Sequence, residues 1–191
     1  MNLEDLKGRF MLWLEAVKNP KETFSKEHRK ADFKNGSINI LLGGLIAGLI
    51  GGIYTNSIIT GAIGGAIGSF IGWLIAGGIY YIFAKLFGGK GDFTTQIYLI
   101  SLYAPLLAIV TAIFTPVPYV SLLVAIYGLY LLTLALKEAH SYETSKAVLS
   151  WFVPMLVIIV VLVILVFIAA SFVTGLLGTM APEYSSMLPT V

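Results

Sequence analysis

Residues 38–54 read INILLGGLIAGLIGGIY, and residues 58–87 read IITGAIGGAIGSFIGWLIAGGIYYIFAKLF. The first stretch has no charged side chain, and the second has only Lys85, close to its end. A transmembrane α-helix needs about 20 mostly apolar residues, with a lower limit of about 17. The two stretches therefore predict two membrane-spanning helices joined by a tight turn at residues 55–57.

Three more apolar stretches follow, at residues 97–114, 117–136 and 148–173. The whole chain is 58% hydrophobic and 12% charged, whereas a soluble domain is about 25% charged. The predicted fold is thus all-α: a polytopic integral membrane protein with a five-helix transmembrane bundle over residues 36–174. Residues 175–191 are predicted as a tail outside the membrane.

Residues 1–35 precede the first span and contain a predicted amphipathic helix at residues 2–18. Its apolar side chains recur at steps of three and four, which places them on one helix face; they are Leu3, Leu6, Phe10, Trp13, Leu14 and Val17. We expect Phe10, Trp13 and Leu14 to lie at the membrane interface. The alternative, that this helix packs on the ends of the spans, stays open. Residues 21–35 are predicted to be a charged connector in water.

The positive charges predict the orientation. All 12 Lys and Arg residues fall within residues 7–34, 85–90 and 137–146. With five spans these three segments share one side of the membrane, and the positive-inside rule makes that side cytoplasmic. The N-terminus is therefore predicted in the cytoplasm and the C-terminus outside.

The first two spans carry glycines at regular spacing. We predict that these form the faces through which helices pack, because small residues let helix backbones approach closely; they are Gly44, Gly48 and Gly52 in the first span, and Gly61, Gly64, Gly68 and Gly72 in the second. Two interpretations stay open. Either the hairpin packs against itself, or one glycine face is left for a second copy of the chain.

The third span contains Ser101, Tyr103 and Pro105. A proline inside a helix removes one backbone donor and bends the helix. The three residues are therefore a candidate cavity lining, although a neighbouring helix that seals the bend is the alternative.

Catalytic and cofactor signals are weak. The chain has no cysteine, which excludes disulfides and thiolate metal sites, and it has neither an HExxH nor a GxSxG motif. His28 and His140 have no metal-ligand partners near them in sequence and are interpreted as surface residues. A net charge of +2 gives no reason to expect a nucleic-acid partner. We predict a non-enzymatic protein without catalytic residues, cofactor or metal.

Four local motifs appear in a distinctive order: Asn19-Pro20-Lys21-Glu22-Thr23-Phe24, Tyr103-Ala104-Pro105, AIYGLY at residues 125–130, and His140 followed by Ser145-Lys146-Ala147. Together with the Gly-rich first hairpin and the five-span layout, they resemble the Yip1-domain family of five-span membrane proteins. The resemblance implies an N-terminus inside and a C-terminus outside. Eukaryotic members associate with small Rab-type GTPases in vesicle transport and have a longer N-terminal region. The compact form here is similar to the archaeal or bacterial branch, which implies a prokaryotic plasma membrane.

Two functions are compatible with these features. The first is a membrane scaffold, organiser or accessory subunit whose partners are the lipid bilayer, other membrane proteins or a second copy. The second is a channel or carrier for a small neutral solute or lipid, motivated by Pro105 and its polar neighbours.

Overall fold

A computed structural model describes residues 2–185, and side chains over residues 2–177. In that part of the chain all regular secondary structure is helical. The helices are α1 (Leu3–Lys18), α2 (Pro20–His28), α3 (Phe33–Tyr54), α4 (Ile58–Leu86), α5 (Phe93–Ile113), α6 (Pro118–His140) and α7 (Thr144–Ser185). Helices α3 to α7 are each long and apolar enough to cross a membrane. The predicted all-α, five-span fold class is confirmed.

The segment predicted as a charged connector differs most from the sequence prediction. Residues 20–28 form α2. Pro20 occupies its first turn, where a missing N–H is tolerated and the fixed φ favours the start of a helix. Thr23, Phe24 and Glu27 follow at helical spacing and are buried. The part of the predicted connector from residue 21 to residue 28 is therefore a packed helix.

Capping residues set where two of the spans begin. The Asp32 side chain accepts the Asn35 N–H at the start of α3, and the Asp92 side chain accepts the Thr95 N–H at the start of α5. Such N-caps satisfy backbone donors that the first helical turn leaves free. Both helices thus begin before the apolar stretches that predict them.

The chain divides into two compact units, residues 1–151 and residues 152–191. In the first unit α5 is central: it packs against α1, α2, α3, α4 and α6. More than half of its 21 residues are buried. Helices α3 and α5 run parallel, and α4 and α6 run antiparallel to them, so that the starts of α3 and α5 and the ends of α4 and α6 lie together. We call this end of the first unit the basic end, because Lys85, Lys90 and Lys137 lie there.

The second unit contains most of α7. Residues 155–170 of this helix are all apolar and exposed, as expected for a membrane-spanning segment. The helix continues through residues 175–185, part of the predicted tail, and the apolar sequence extends through Leu176 and Leu177. Residues 186–191, the rest of that predicted tail, lie outside the described residues.

Candidate functional site

Arg9 joins α1 to the spans through a chain of hydrogen bonds. Its Nη1 donates to Asn39 Oδ1 at 2.8 Å, and its Nη2 donates to Asn35 Oδ1 at 2.8 Å. Asn39 Nδ2 donates to Ser101 Oγ at 3.3 Å, and the Ser101 hydroxyl donates to the Tyr98 carbonyl at 2.7 Å. Asn39 and Ser101 are both buried. Because buried polar groups are costly unless they are paired, this series of hydrogen bonds fixes the relative positions of α1, α3 and α5.

Glu27 fixes α2 to the same region of α5. The Tyr98 hydroxyl donates to Glu27 Oε2 at 2.8 Å, and Lys30 Nζ donates to Glu27 Oε1 at 2.7 Å. Glu27 is only 8% exposed, and a buried carboxylate is stable only when it is paired and hydrogen-bonded. The bond to Tyr98 therefore depends on α2 staying docked.

Aromatic side chains complete the docking of the two N-terminal helices. The Phe24 ring lies 6.1 Å from the Tyr103 ring, measured between centroids, and Phe24 and Trp13 are buried. The Tyr127 hydroxyl donates to the Val17 carbonyl at 2.6 Å, which links the end of α1 to α6. Helices α1 and α2 are thus part of the packed bundle.

His140 belongs to a second polar cluster at the basic end. Gln96 Nε2 donates to the Gly77 carbonyl at 2.8 Å, so Gln96 Oε1 is the atom that faces His140 Nε2, also at 2.8 Å. An amide oxygen only accepts, and His140 Nε2 must therefore carry the proton. Nδ1, on the other side of the ring, is buried without a partner in the described residues.

The loop between α4 and α5 closes over this histidine. A Cβ at Gly89 would lie 2.7 Å from His140 Nδ1, and the Lys90 N–H donates to the His140 carbonyl at 3.2 Å. The Tyr142 ring lies 5.4 Å from the imidazole, and burial raises the pKa of the Tyr142 hydroxyl. His140 is fully buried, so its interpretation as a surface residue is wrong. It joins the start of α5 to the end of α6 and to the loop that follows α4.

Both clusters use their polar atoms to connect helices. Within the described residues no group of three His, Cys, Asp or Glu side chains is placed to hold a metal ion. These hydrogen bonds hold α1 and α2 on the spans. The two helices also carry exposed charged side chains.

Comparison with known families identifies the chain. The model of the Yip1 domain matches residues 14–168, a range that begins within α1 and includes Glu27, Asn39, Tyr98 and His140. The chain belongs to the Yip1-domain family. Comparisons with curated proteins and with solved structures gave no match. The family and the five apolar helices establish a multi-pass membrane protein in contact with lipid.

The glycines of this Yip1-domain protein occupy two different environments. A Cβ on any of the inner glycines would collide with the backbone of the facing helix; these are Gly44, Gly48 and Gly52 in α3, and Gly61 and Gly65 in α4. For Gly64, Gly68 and Gly72 no atom of another helix lies within 4 Å of that position. These three glycines therefore lie off the hairpin interface, and the interpretation that they form a face for a second copy of the chain stays a prediction. The interface uses Gly61 and Gly65, which are four residues apart on the face that meets α3.

The part of α5 around Pro105 is tightly packed in this Yip1-domain protein. A Cβ on Gly43 would collide with the Pro105 ring, Asn39 bonds Ser101, and Phe24 lies against Tyr103. All three residues of the candidate cavity are buried. Residues of α2 and α3 pack against these three residues and occupy the space that was predicted to be a cavity.

The three residues of α1 that are predicted to lie at the membrane interface differ in their exposure. Phe10 is 45% exposed and Trp13 is 3% exposed, while Leu14 is intermediate. Phe10 remains available to lipid, whereas Trp13 is buried inside the first unit. The structure therefore combines the two interpretations of this helix, with one side packed on the spans and another side open.

Sequence reasoning missed the polar residues that hold the Yip1 bundle together. Asn39 lies inside the first apolar stretch, and Gln96 directly precedes the third. An amide side chain within or beside a span needs a partner in a medium without water, and this signal was available in the sequence. Glu27 gave no such signal, because only the docking of α2 removes it from water.

Proposed function

We propose that this protein is a non-enzymatic organiser in the membrane, acting as a scaffold or accessory subunit through its docked N-terminal helices. The observation that carries the proposal is the pair of hydrogen-bonded links, from Arg9 to Asn39 and from Glu27 to Tyr98. They hold α1 and α2 in fixed positions on the bundle. A rigid surface presents its side chains to a partner without the entropic cost of ordering.

Exposed side chains on these two helices carry charges of both signs. We call this set of residues the platform; it consists of Glu15, Lys18, Lys21, Glu22 and Lys26. Lys26 and Glu22 form an ion pair at 2.5 Å, and both side chains are well exposed. Mixed charge on a fixed surface favours specific protein partners by electrostatic complementarity. The hydrogen bonds of Asn39, Gln96, Ser101 and Glu27 connect helices, and this structural use supports a role without catalysis.

We further propose that the platform lies in the cytoplasm and the C-terminus outside, in a prokaryotic plasma membrane. The support is the confinement of all 12 cations to residues 7–34, 85–90 and 137–146, segments that share one side if five spans alternate, together with the positive-inside rule. Cysteines introduced singly at Lys18 and at Thr55 test this orientation. An impermeant maleimide added to intact cells is expected to label the position at residue 55 and not the position at residue 18.

Crosslinking in native membranes tests the organiser function. The full chain is purified through an affinity tag after crosslinking, and captured proteins are identified by mass spectrometry. We expect specific membrane partners, lost in the double variant Lys18→Glu, Lys21→Glu. The matched control Lys90→Glu, Lys146→Glu changes the same charge at exposed positions of the same end and should keep them. Identical capture in both variants, or recovery of this chain alone, would contradict the proposal.

A further inference from the structure

A groove separates α1 from α3. It encloses about 460 Å³, and its lining residues are Leu3, Leu6, Lys7, Arg9, Phe10, Trp13, Leu42 and Ile46. Lys7 and Arg9 are its charged members. Leu3 is 79% exposed and Phe10 is 45% exposed, so the apolar wall contributed by α1 is largely uncovered.

Arg9 also lines a second cavity of about 570 Å³, with Asp5, Lys34, Asn35 and Asn39 among its walls. The Arg9 side chain therefore borders both the groove and this second cavity. Its two hydrogen bonds go to the amide oxygens of Asn35 and Asn39. These bonds orient the guanidinium without neutralising its charge, and they use two of the five N–H donors of arginine.

The charges around the two cavities are predominantly positive. Their walls carry Lys7, Arg9 and Lys34 against one acid, Asp5, whose carboxylate accepts the Asn2 N–H at 3.0 Å in the helix cap. Among the described residues, none of the three cations takes part in an ion pair. An anion at this position would meet unpaired positive charge.

The order of charged and apolar groups along α3 matches that of a phospholipid. Arg9 is bonded to α3 at Asn35 and Asn39, whereas the groove wall deeper in the helix is formed by Leu42 and Ile46. At 1.5 Å per residue, Ile46 lies roughly 10 Å below Asn39. That separation takes a ligand from the headgroup region into the hydrocarbon of the same leaflet.

We propose that this groove binds one anionic phospholipid, with its phosphate against Arg9 and Lys7 and an acyl chain along Phe10, Leu42 and Ile46. Guanidinium groups bind phosphate oxygens through several parallel hydrogen bonds. Basic pockets beside membrane helices are suited to anionic lipid headgroups. This lipid site does not depend on the organiser function: the groove is expected to bind the lipid whether or not the platform binds a protein partner.

Lipid retention tests the proposal. The full chain is extracted from vesicles of equal parts phosphatidylcholine and phosphatidylglycerol, and lipids that stay bound are counted by native mass spectrometry. We expect phosphatidylglycerol to be retained over phosphatidylcholine, and Lys7→Gln or Arg9→Gln to weaken its retention about fivefold each. The control Arg29→Gln removes an exposed cation away from the groove and should retain phosphatidylglycerol as the parent does.

A second pair of variants tests the acyl chain. Ile46→Trp fills the groove and should reduce retention, whereas Ile53→Trp, at an exposed position further along α3, should not. Circular dichroism and elution volume establish that each variant is folded. If Arg9→Gln does not fold, Lys7→Gln decides, because the Lys7 side chain is exposed.

Three results would overturn the proposal. They are equal retention of both lipids by the parent protein, equal losses in Lys7→Gln and Arg29→Gln, and a second copy of the chain found crosslinked within the groove.

Discussion

Helices α4 and α5 have almost the same mean hydropathy but opposite environments. Buried residues make up more than half of α5, whereas α4, with 29 residues, buries only Ala62, Trp73, Gly77 and Ala84. Isoleucines recur every four residues along the open side of α4, at positions 59, 63, 67, 71 and 75, and each is exposed. Hydropathy therefore predicts that both helices enter the membrane, and the neighbours of each helix decide whether it meets protein or lipid.

The two helices also use different means of attachment. Helix α4 meets α3 through glycines, which bring the backbones into contact and gain dispersion energy along the whole interface. Helix α5 is held by specific hydrogen bonds, including those of Tyr98, Ser101 and Gln96. Substitutions that enlarge a side chain should therefore affect the α3–α4 interface most, and substitutions that remove a polar atom should affect α5 most.

The largest effect is expected from Gly48→Leu. A Cβ at this position collides with the Gly61 carbonyl, and backbone cannot move aside as a side chain can. We expect a loss of about 3 kcal/mol in the free energy of unfolding, at the upper end of the usual cost of overpacking, measured by thermal unfolding of the detergent-purified protein. The control is Gly68→Leu on the open side of α4, and equal losses in both variants would contradict the assignment of the two glycine faces.

Tyr98→Phe tests the polar attachment of α5. It removes the hydroxyl that donates to the buried Glu27 carboxylate, so we expect a loss of about 1–3 kcal/mol. Tyr119→Phe is the matched control, because Tyr119 is 78% exposed. Hydrogen exchange of the α2 amides should rise in Tyr98→Phe alone. Unchanged protection of α2 would show that it does not depend on this bond.

Asp92→Ala removes the N-cap of α5 and is expected to cost about 1 kcal/mol at neutral pH. Partial burial raises the pKa of Asp92, but hydrogen bonds from the Thr95 backbone and hydroxyl and from the backbone N–H groups of Asp92 and Thr94 together outweigh it, so the folded-state pKa lies below its ordinary value. The stabilisation by the carboxylate is then complete above its unfolded-state pKa. It is lost as the pH falls through the folded-state value. The stability difference between parent and variant should shrink in acid, and a constant difference would refute this origin.

The smallest effect on stability is expected from the double variant Gly68→Leu, Gly72→Leu, because both positions are open. We expect a change within about 0.5 kcal/mol. If a second copy packs on this face, the parent is a dimer in detergent and the variant is a folded monomer, as measured by light scattering. A variant with the mass of the parent would leave the face to lipid.

The candidate site was less predictable than the fold. The packing row Gly44–Gly48–Gly52 was predictable from its spacing of four. The second span has two such rows, one with Gly61 and Gly65 and one with Gly64, Gly68 and Gly72, and spacing alone does not decide which of them faces α3. His140 was interpreted as a surface residue, since nothing near it in sequence resembles a partner. Its partner Gln96 lies 44 positions away, and only the docking of α6 on α5 brings them together.

The sequence by itself determined the number of spans and the family, because length, hydropathy and local motifs are properties of short segments. It also placed every cation in segments that five spans bring to one side. Only the tertiary structure decided which glycines touch, that α2 is a packed helix, and that Arg9 reaches Asn39. These outcomes depend on contacts between distant residues, whose energies exist only once the helices are packed together.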